Sequence, residues 1–174
     1  MRDIIDKVRR GEQTMKIGVI SDTHDHKANT QKMLDEFRRQ NINTIIHAGD
    51  LISPFMLNLF NDFKVYAVKG NNDGDIFRIM QNKQETFFFD DELMSLKIKE
   101  KNVCVYHGTN SEIHKALVES QNYDVVISGH THKVQGEKKG KTLVLNPGSL
   151  HGFEKQGTAM VLDIDTLKVK LLKV

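Results

Sequence analysis

The sequence predicts an α/β fold: a two-sheet β-sandwich flanked by helices on both sides, in a four-layer αββα arrangement. In the first half of the chain, short apolar runs alternate with segments of helical periodicity, which is typical of parallel βαβ units with right-handed crossovers. The middle and the end carry consecutive strand-like runs joined by polar turns, so we expect a second sheet packed against the first.

The first half of the chain predicts three buried strands, over residues 16–20, 43–47 and 64–68. Apolar residues at helical spacing predict a helix over residues 27–40. Ser53 and Pro54 predict the start of a second helix, because Ser is a good cap and Pro suits the first helical position.

The second half of the chain predicts mostly strands. They cover residues 86–89, 93–98, 102–106, 123–128, 134–137, 142–146, 159–164 and 168–172. A helix is predicted over residues 110–121, because Thr109 and Glu112 match a capping box. Cys104 lies in an apolar run and is interpreted as a small core residue.

Composition and charge are those of one globular domain. The chain has 174 residues and a formal net charge of +2, which is too small to favour nucleic-acid or membrane surfaces by bulk electrostatics. No apolar stretch approaches the length of a membrane span, and the charged first residues do not match a signal peptide, so we expect a cytoplasmic protein. Residues 1–14 are interpreted as an N-terminal extension and residues 15–174 as a single domain.

Five polar clusters each follow a predicted strand. They are Asp22-Thr23-His24, Gly49-Asp50, Gly70-Asn71-Asn72-Asp73, His107-Gly108 and Gly129-His130-Thr131-His132. Because ligands gather at the carboxyl ends of strands in open α/β sheets, we expect these side chains to meet at one edge. Carboxylate, amide and imidazole donors favour divalent ions such as Mn²⁺, and two adjacent ions of this kind cleave phosphate esters with activated water.

In their order along the chain, these five motifs resemble the metallophosphoesterase (calcineurin-like) superfamily, especially its small prokaryotic phosphodiesterases. The resemblance implies a helix-flanked β-sandwich with a dinuclear metal centre, and hydrolysis through attack of a metal-bridging hydroxide. It implies one ion held by Asp22, His24 and His132, a second held by Asn71, His107 and His130, and Asp50 as the bridge. The expected ions are two Mn²⁺, with Ni²⁺, Fe²⁺, Co²⁺ and Zn²⁺ as alternatives.

Asn72 departs from the pattern of the larger superfamily, many of whose members carry a histidine at that place. An amide can hydrogen-bond a phosphate oxygen but cannot deliver a proton at neutral pH. We take Asn72, together with the implied metal ligand His107, as the candidate catalytic residues. His26 and His151 are candidates for the proton donor to the leaving group, because both lie beside these motifs.

The sequence leaves the roles of several other polar residues open. His47 either orients a metal ligand or is a core histidine satisfied by the backbone. His114 is expected at the surface of its helix. Asp73 and Asp75 are interpreted as caps of the helix that follows them. Residues 146–149 either present backbone amides to the substrate or simply make a turn.

The leading hypothesis is a metal-dependent phosphodiesterase acting on a small or activated phosphate ester. The alternative is a scaffold or binding module of the retromer-subunit type with little or no catalysis, and the completeness of the ligand histidines counts against it. A nuclease is disfavoured because the small net charge offers little grip on a phosphate backbone. The expected partner is therefore a small phosphate ester, with neither membrane nor nucleic acid, and a homodimer or higher oligomer is compatible with the sequence.

Overall fold

In a computed structural model, residues 14–153 and 155–174 are described, and they form eleven strands, three α-helices and one 3₁₀ helix. The strands are β1 (Lys16–Ile20), β2 (Thr44–His47), β3 (Lys64–Val68), β4 (Phe87–Asp90), β5 (Leu93–Ile98), β6 (Lys101–Tyr106), β7 (Val125–Ile127), β8 (Gln135–Lys139), β9 (Thr142–Asn146), β10 (Thr158–Asp163) and β11 (Lys168–Lys173). The helices are α1 (Lys27–Arg39), the 3₁₀ helix (Pro54–Phe60), α2 (Ile76–Asn82) and α3 (Ser111–Glu119).

The first sheet has six strands in the order β11-β10-β1-β2-β3-β4. Strands β1 to β4 run parallel to one another, while β10 pairs antiparallel with β1 and β11 pairs antiparallel with β10. The parallel part comes from the βαβ units in which α1, the 3₁₀ helix and α2 serve as crossovers. Consequently the loops that follow β1, β2 and β3 all leave the sheet at the same edge.

The second sheet has five strands in the order β5-β6-β7-β9-β8. Its three central strands β6, β7 and β9 are parallel, and β5 and β8 close the two edges in antiparallel pairing. The chain changes sheets in the short turn between β4 and β5. The loops after β6 and β7 therefore leave the second sheet together, as those after β1 to β3 leave the first.

Three apolar clusters separate the layers of the fold. One lies between the two sheets and joins residues such as Val19 and Ile46 to Val105 and Ile127. A second packs α1, the 3₁₀ helix and α2 onto the outside of the first sheet. A smaller third cluster, which includes Cys104, packs α3 onto the outside of the second sheet. The predicted αββα sandwich and the core position of Cys104 are thus confirmed.

Two predicted helix starts differ from the structure. The segment after Ser53 is a 3₁₀ helix, in which buried Leu57 and Phe60, three residues apart, share one face. Ser53 makes no cap hydrogen bond there; its hydroxyl donates to Asp25 instead. Helix α3 is capped by Asn110, whose side chain accepts from two backbone N–H groups, so the capping box predicted from Thr109 is wrong.

The predicted extension over residues 1–14 lies outside the described residues, apart from its last residue. None of the helices in the described ranges is both long and apolar enough for a membrane crossing.

Candidate metal centre

The loops that follow β1, β2, β3, β6 and β7 bring the side chains of the five motifs to one place. The backbone N–H of His130, from the second sheet, donates to Asp22 Oδ2 of the first sheet at 3.1 Å. His132 Nε2 lies 3.1 Å from Asp22 Oδ1, so the final histidine of the last motif also reaches the first motif. As predicted, the structure brings together motifs that are more than a hundred residues apart in the sequence.

Asp22, Asp50 and His107 form the floor of this site, with no more than 1% of each residue exposed. One ligand atom from each lies within 4.8 Å of the others, a spacing that a single metal ion can span. Asp22 also belongs to a second group of this kind, with His24 and His132. Two potential cation positions therefore adjoin each other around Asp22.

Asp50 lies between the two sets of predicted ligands. Its Oδ2 atom is 3.5 Å from Nε2 of His24 and 3.5 Å from Nε2 of His107. The family resemblance implies that those two histidines bind different ions, and the carboxylate oxygen is equally close to both. This is the position that a bridging ligand requires.

Asn71 joins the remaining predicted ligands. Its Oδ1 atom lies 3.0 Å from His107 Nε2 and 2.8 Å from His130 Nδ1. Amide oxygen and imidazole nitrogen thus converge from β3, β6 and β7, as the assignment of these three residues to one ion requires.

The orientation of His107 leaves one nitrogen free for a ligand. Its Nδ1 lies 2.7 Å from the backbone carbonyl of Ala48, and a carbonyl can only accept, so Nδ1 carries the hydrogen. In the neutral ring the lone pair is then on Nε2, which faces Asp50 and Asn71. A backbone carbonyl behind a metal-binding histidine is a common way to fix its tautomer.

His24 presents a buried nitrogen without a hydrogen-bond partner. Its Nε2 is shielded from solvent and is 3.8 Å from Asp22 Oδ1, too far for a hydrogen bond. Because a buried polar atom without a partner is costly, an atom in this position fits a coordinated cation. Together with the oxygen and imidazole donors around it, this nitrogen fits a divalent metal ion, and no thiolate contributes.

The electrostatics of the site favour added positive charge. The neighbouring Asp22 carboxylate raises the pKa of His24. Burial lowers the pKa of His107, but Asp50 and the Ala48 carbonyl outweigh it and leave that pKa raised. Burial would raise the pKa of Asp50, yet the protonated form of His107 and the two hydrogen bonds from Asn72 hold that pKa well below its usual range. The Asp50 carboxylate thus stays charged and attracts cations, whether protons or metal ions.

The ligand loops are held in a backbone conformation that residues other than glycine rarely adopt. Positive φ angles, between 41° and 63°, occur at five of the predicted ligands: Asp22, His24, Asp50, His130 and His132. Such angles cost energy and persist only where the surroundings enforce them, which is common at functional sites. Gly70 has a related role, because a Cβ atom there would collide with the Asp50 carboxylate.

Asp73 is a functional residue that the sequence interpretation missed. Its carboxylate accepts the backbone N–H groups of Asp50 at 3.0 Å, Ile52 at 2.6 Å and Gly70 at 2.7 Å. It therefore ties the loop after β2 to the loop after β3. The cap of α2 is Asp75 alone, so the prediction of Asp73 as a helix cap is wrong. The signal was its position inside the Gly70–Asp73 motif.

His47 is a buried histidine that supports the ligand loops. Its Nδ1 accepts the N–H of Gly49, so Nε2 carries the hydrogen and faces the Thr23 hydroxyl at 3.2 Å. That hydroxyl lies 3.2 Å from the carbonyl oxygen of Asp50 and donates to it. Burial lowers the pKa of His47 to about 4, which keeps the ring neutral near pH 7. Both interpretations of His47 therefore describe part of its role.

Asn72 contacts Asp50 in the structure. Its backbone N–H donates to Asp50 Oδ1 and its side-chain amide donates to Asp50 Oδ2, both at 2.8 Å. Asn72 therefore orients the candidate bridging carboxylate. The predicted hydrogen bond from Asn72 to a phosphate oxygen stays a prediction.

The two candidate proton donors lie at the edge of the site. The rings of His26 and His151 are 5.0 Å apart, and the ring of His151 is 6.0 Å from that of His24. His26 Nδ1 caps α1 by accepting from the backbone of Asn29, and His151 Nδ1 accepts from the backbone of Phe153. Both rings therefore keep Nε2 as the nitrogen left for other contacts, and their proposed role as acids stays a prediction.

Residues 146–149 brace the site from behind. The Asn146 amide donates to the carbonyl of Gly129, and the Ser149 hydroxyl donates to the carbonyl of Asp22. The N–H of Gly148 is used within the turn, by Asn146 Oδ1. Away from the site, His114 is half-buried with a shielded Nε2, so its predicted surface position is only partly right.

Comparison with known proteins agrees with this geometry. The family model of the calcineurin-like phosphoesterase superfamily domain matches residues 15–167. The chain is 36% identical to phosphodiesterase MJ0936 of Methanocaldococcus jannaschii over 144 residues, which is 80% of this chain and 86% of that protein. It is 25% identical to phosphodiesterase YfcE of Escherichia coli K12, over 89% of this chain and 91% of that protein.

Solved structures show the same relationship. The structure of an archaeal phosphodiesterase aligns with a TM-score of 0.87 and 32% identity, over 92% of this chain and all of that chain. Vps29 of Entamoeba histolytica aligns with a TM-score of 0.66 and 23% identity, over 92% of this chain and 99% of that one, a likeness of fold alone. From the motifs, their convergence and these matches, the chain belongs to the calcineurin-like phosphoesterase superfamily.

Proposed function

We propose that the protein is a metal-dependent phosphodiesterase that uses two divalent ions to hydrolyse small or activated phosphate esters. The observation that carries the proposal is the position of Asp50 Oδ2, 3.5 Å from His24 Nε2 and 3.5 Å from His107 Nε2. A carboxylate placed equally between two histidines of different ligand sets suits a pair of adjacent ions. The names of the relatives support phosphodiester hydrolysis as the reaction class.

The proposed ligands divide into two sets that share one carboxylate. The first set is Asp22, His24 and His132, the second is Asn71, His107 and His130, and Asp50 serves both. When bound, two such ions supply an activated water and stabilise the negative charge that builds on the phosphate oxygens.

The protein's own contribution is to hold these donors rigidly before substrate arrives. Asn72 fixes both oxygens of Asp50, and Asp73 fixes the backbone on either side. The Ala48 carbonyl fixes the tautomer of His107. Donors that are already oriented do not need to reorganise during the reaction, which is a main source of catalytic power in enzymes.

Mn²⁺ is the proposed native ion, with Ni²⁺, Fe²⁺, Co²⁺ and Zn²⁺ as alternatives. Oxygen and imidazole donors without a thiolate favour ions of this class. Cys104 cannot contribute, because it lies in the apolar cluster under α3, on the outer face of the second sheet. Burial also raises the pKa of its thiol to about 11, which keeps the thiol protonated.

The experiment that tests the proposal is a panel of phosphomonoesters and phosphodiesters assayed with each divalent ion. We expect diesters to be preferred and Mn²⁺ or Ni²⁺ to support the fastest turnover. Elemental analysis of the purified protein provides a second measurement. Absence of transition metal together with no activity after Mn²⁺ addition would favour the scaffold alternative, and salt-sensitive DNA binding with DNA cleavage would favour a nuclease.

A further inference from the structure

An open pocket of about 600 Å³ adjoins the candidate metal centre on the side of His132. We infer that this pocket binds the organic group of the phosphate ester, and that it selects esters carrying a planar aromatic or heteroaromatic ring. The inference rests on the proposed function and adds a substrate class to it. Residues from the loop after β9 and from the start of β10 supply most of its lining: Ser149, Gly152, Phe153, Lys155, Gln156 and Thr158, together with His132 and Val134 from the segment before β8.

The pocket begins where the ligand set ends. His132 lines the pocket and also lies 3.1 Å from Asp22. Ser149 lines it as well, and its hydroxyl donates to the carbonyl of Asp22. A phosphate held among the ligands therefore has this space directly beside it, within reach of one of its ester substituents.

The space beside Asn71 and His107 is too small for such a group. A more enclosed pocket there, lined in part by Asn71 and His107, has a volume of only about 60 Å³. Binding sites for drug-sized organic molecules measure roughly 300–1,000 Å³, and a water molecule occupies about 30 Å³ of liquid. The small pocket suits a water molecule or a phosphate oxygen, which leaves the larger pocket for the organic group.

Phe153 gives the larger pocket its chemical character. Phe153 is 52% exposed to solvent, although the burial of an aromatic ring is energetically favourable. The ring stacks on His132 with centroids 4.8 Å apart and planes 20° apart. It also touches His24 and His151, at centroid distances of 5.2 Å and 4.2 Å. A substrate ring in the pocket would extend this stack of planar groups.

The backbone at Phe153 adopts an unusual conformation. Its φ angle is 43°, in the left-handed region that bulky residues rarely adopt. The N–H of Phe153 donates to His151 Nδ1 at 2.8 Å, and Gly152 before it also has a positive φ of 78°. Backbone strain of this kind persists only where the surroundings enforce it, and it is common at ligand-binding sites.

The remaining lining combines apolar surface with a few polar groups. Val134 is 46% exposed, so the pocket offers a second apolar contact. The exposed Gln156 supplies an amide that can both donate and accept, and Lys155 supplies a positive charge. A flat ring with hydrogen-bonding atoms at its edge matches this lining better than a sugar or an alkyl chain does.

The test compares two phosphonates that cannot be hydrolysed, phenylphosphonate and methylphosphonate, binding to the Zn²⁺-loaded full-length protein. We expect calorimetry to give about tenfold tighter binding for the phenyl compound, since aromatic stacking and ring burial add to the shared phosphonate contact. Phe153→Leu keeps an apolar side chain but removes the ring, so the ratio of the two affinities should fall to about two. Phe77→Leu is the matched control, because Phe77 is 78% exposed on α2 and lies outside the pocket lining.

A second measurement does not depend on a variant that folds. In the diamagnetic Zn²⁺-loaded protein, the ring protons of phenylphosphonate should show nuclear Overhauser contacts to the ring protons of Phe153. Equal affinity for the two phosphonates, an unchanged ratio in Phe153→Leu, or the absence of those contacts would each overturn the inference. Unselective binding combined with hydrolysis of diesters would leave the proposed function standing, whereas failure of both binding and hydrolysis would overturn both proposals.

Discussion

The floor and the rim of the metal centre are built in different ways. The floor residues Asp22, Asp50 and His107 are buried and held by hydrogen bonds, many of them from the backbone. The rim, which we define as Phe153 and the exposed pocket residues Val134, Lys155 and Gln156, is open to solvent, and its aromatic ring stacks on the proposed ligand His132. The difference separates reaction from recognition: the floor fixes the donors, while the rim can vary with the ester.

This comparison predicts that changes in the floor affect turnover and stability strongly, whereas changes in the rim affect substrate preference modestly. The largest effect is expected from Asp50→Asn, which removes the shared negative charge at nearly unchanged size. We expect kcat/KM on a diester to fall at least about a thousandfold, roughly 4 kcal/mol, with metal binding weakened and the fold retained.

The control for that change is Asp62→Asn, a carboxylate in an exposed ion pair with Arg38. Exposed pairs contribute little, so this variant should keep its activity and its unfolding temperature. Turnover of Asp50→Asn comparable to that of the unaltered protein would remove Asp50 from the mechanism.

Asp73→Ala tests whether the floor depends on the support behind it. The change leaves three N–H groups without their acceptor, and unsatisfied buried donors are costly. We expect about 3 kcal/mol lower free energy of unfolding in urea, together with weaker metal affinity measured by calorimetry.

Asp75→Ala, which removes the cap of α2 and an exposed ion pair with Arg78, is the matched control and should cost about 1 kcal/mol without changing metal affinity. Equal losses in the two variants would contradict a special role for Asp73.

The buried His47 predicts a pH dependence of stability. Its pKa is about 4 in the folded protein, against an ordinary value of 6.5, so between these pH values the unfolded chain binds more protons. Stability is therefore lost as pH falls below 6.5, and His47 accounts for about 2 kcal/mol between pH 7 and pH 5.

Urea unfolding at several pH values in the presence of a chelator measures this contribution. His47→Asn keeps an acceptor for the N–H of Gly49 but cannot titrate, so the loss between pH 7 and pH 5 should be smaller by that amount. At pH 8 the difference between the two proteins gives the packing cost alone. Parallel curves over the whole range would show that His47 is not the group responsible.

The smallest effect is expected at the rim. Lys155→Gln removes an exposed charge beside the pocket, and screened surface charges contribute less than about 1 kcal/mol. We expect KM for an anionic ester to rise about twofold to threefold at low salt with kcat unchanged. Lys138→Gln, outside the pocket lining, is the control, and a large fall in kcat for Lys155→Gln would contradict the division between floor and rim.

The sequence predicted the parts of the fold that depend on local pattern. The bounds of β3, β5 and β9 match the prediction, because short apolar runs bounded by polar turns leave little choice of register. The convergence of the ligands followed from the rule that parallel strands present their carboxyl ends at one edge. Asp73 was misassigned because its partners are backbone N–H groups, whose positions depend on two loops folding together.

The pocket could not be predicted for a similar reason. The stacking of Phe153 on His132 joins residues from two loops, and neither residue carries a local signal for the contact. The predicted cap of α3 was wrong because two neighbouring residues compete for the position. Asn110 accepts from two backbone N–H groups, whereas Thr109 was expected to be the cap. Side chains that can cap from neighbouring positions differ too little in energy for the sequence to decide between them.

The change of sheet between β4 and β5 has a mechanical consequence. Asp22, Asp50 and Asn71 lie in loops that follow strands of the first sheet, whereas His107, His130 and His132 lie in loops that follow strands of the second. Each proposed ion therefore takes ligands from both sheets of the sandwich and would link the two sheets to each other. Metal binding and folding are thermodynamically linked, so a free ion concentration of a hundred times the dissociation constant raises the free energy of unfolding by about 2.7 kcal/mol. A thermal unfolding curve therefore reports how much of the protein has bound metal.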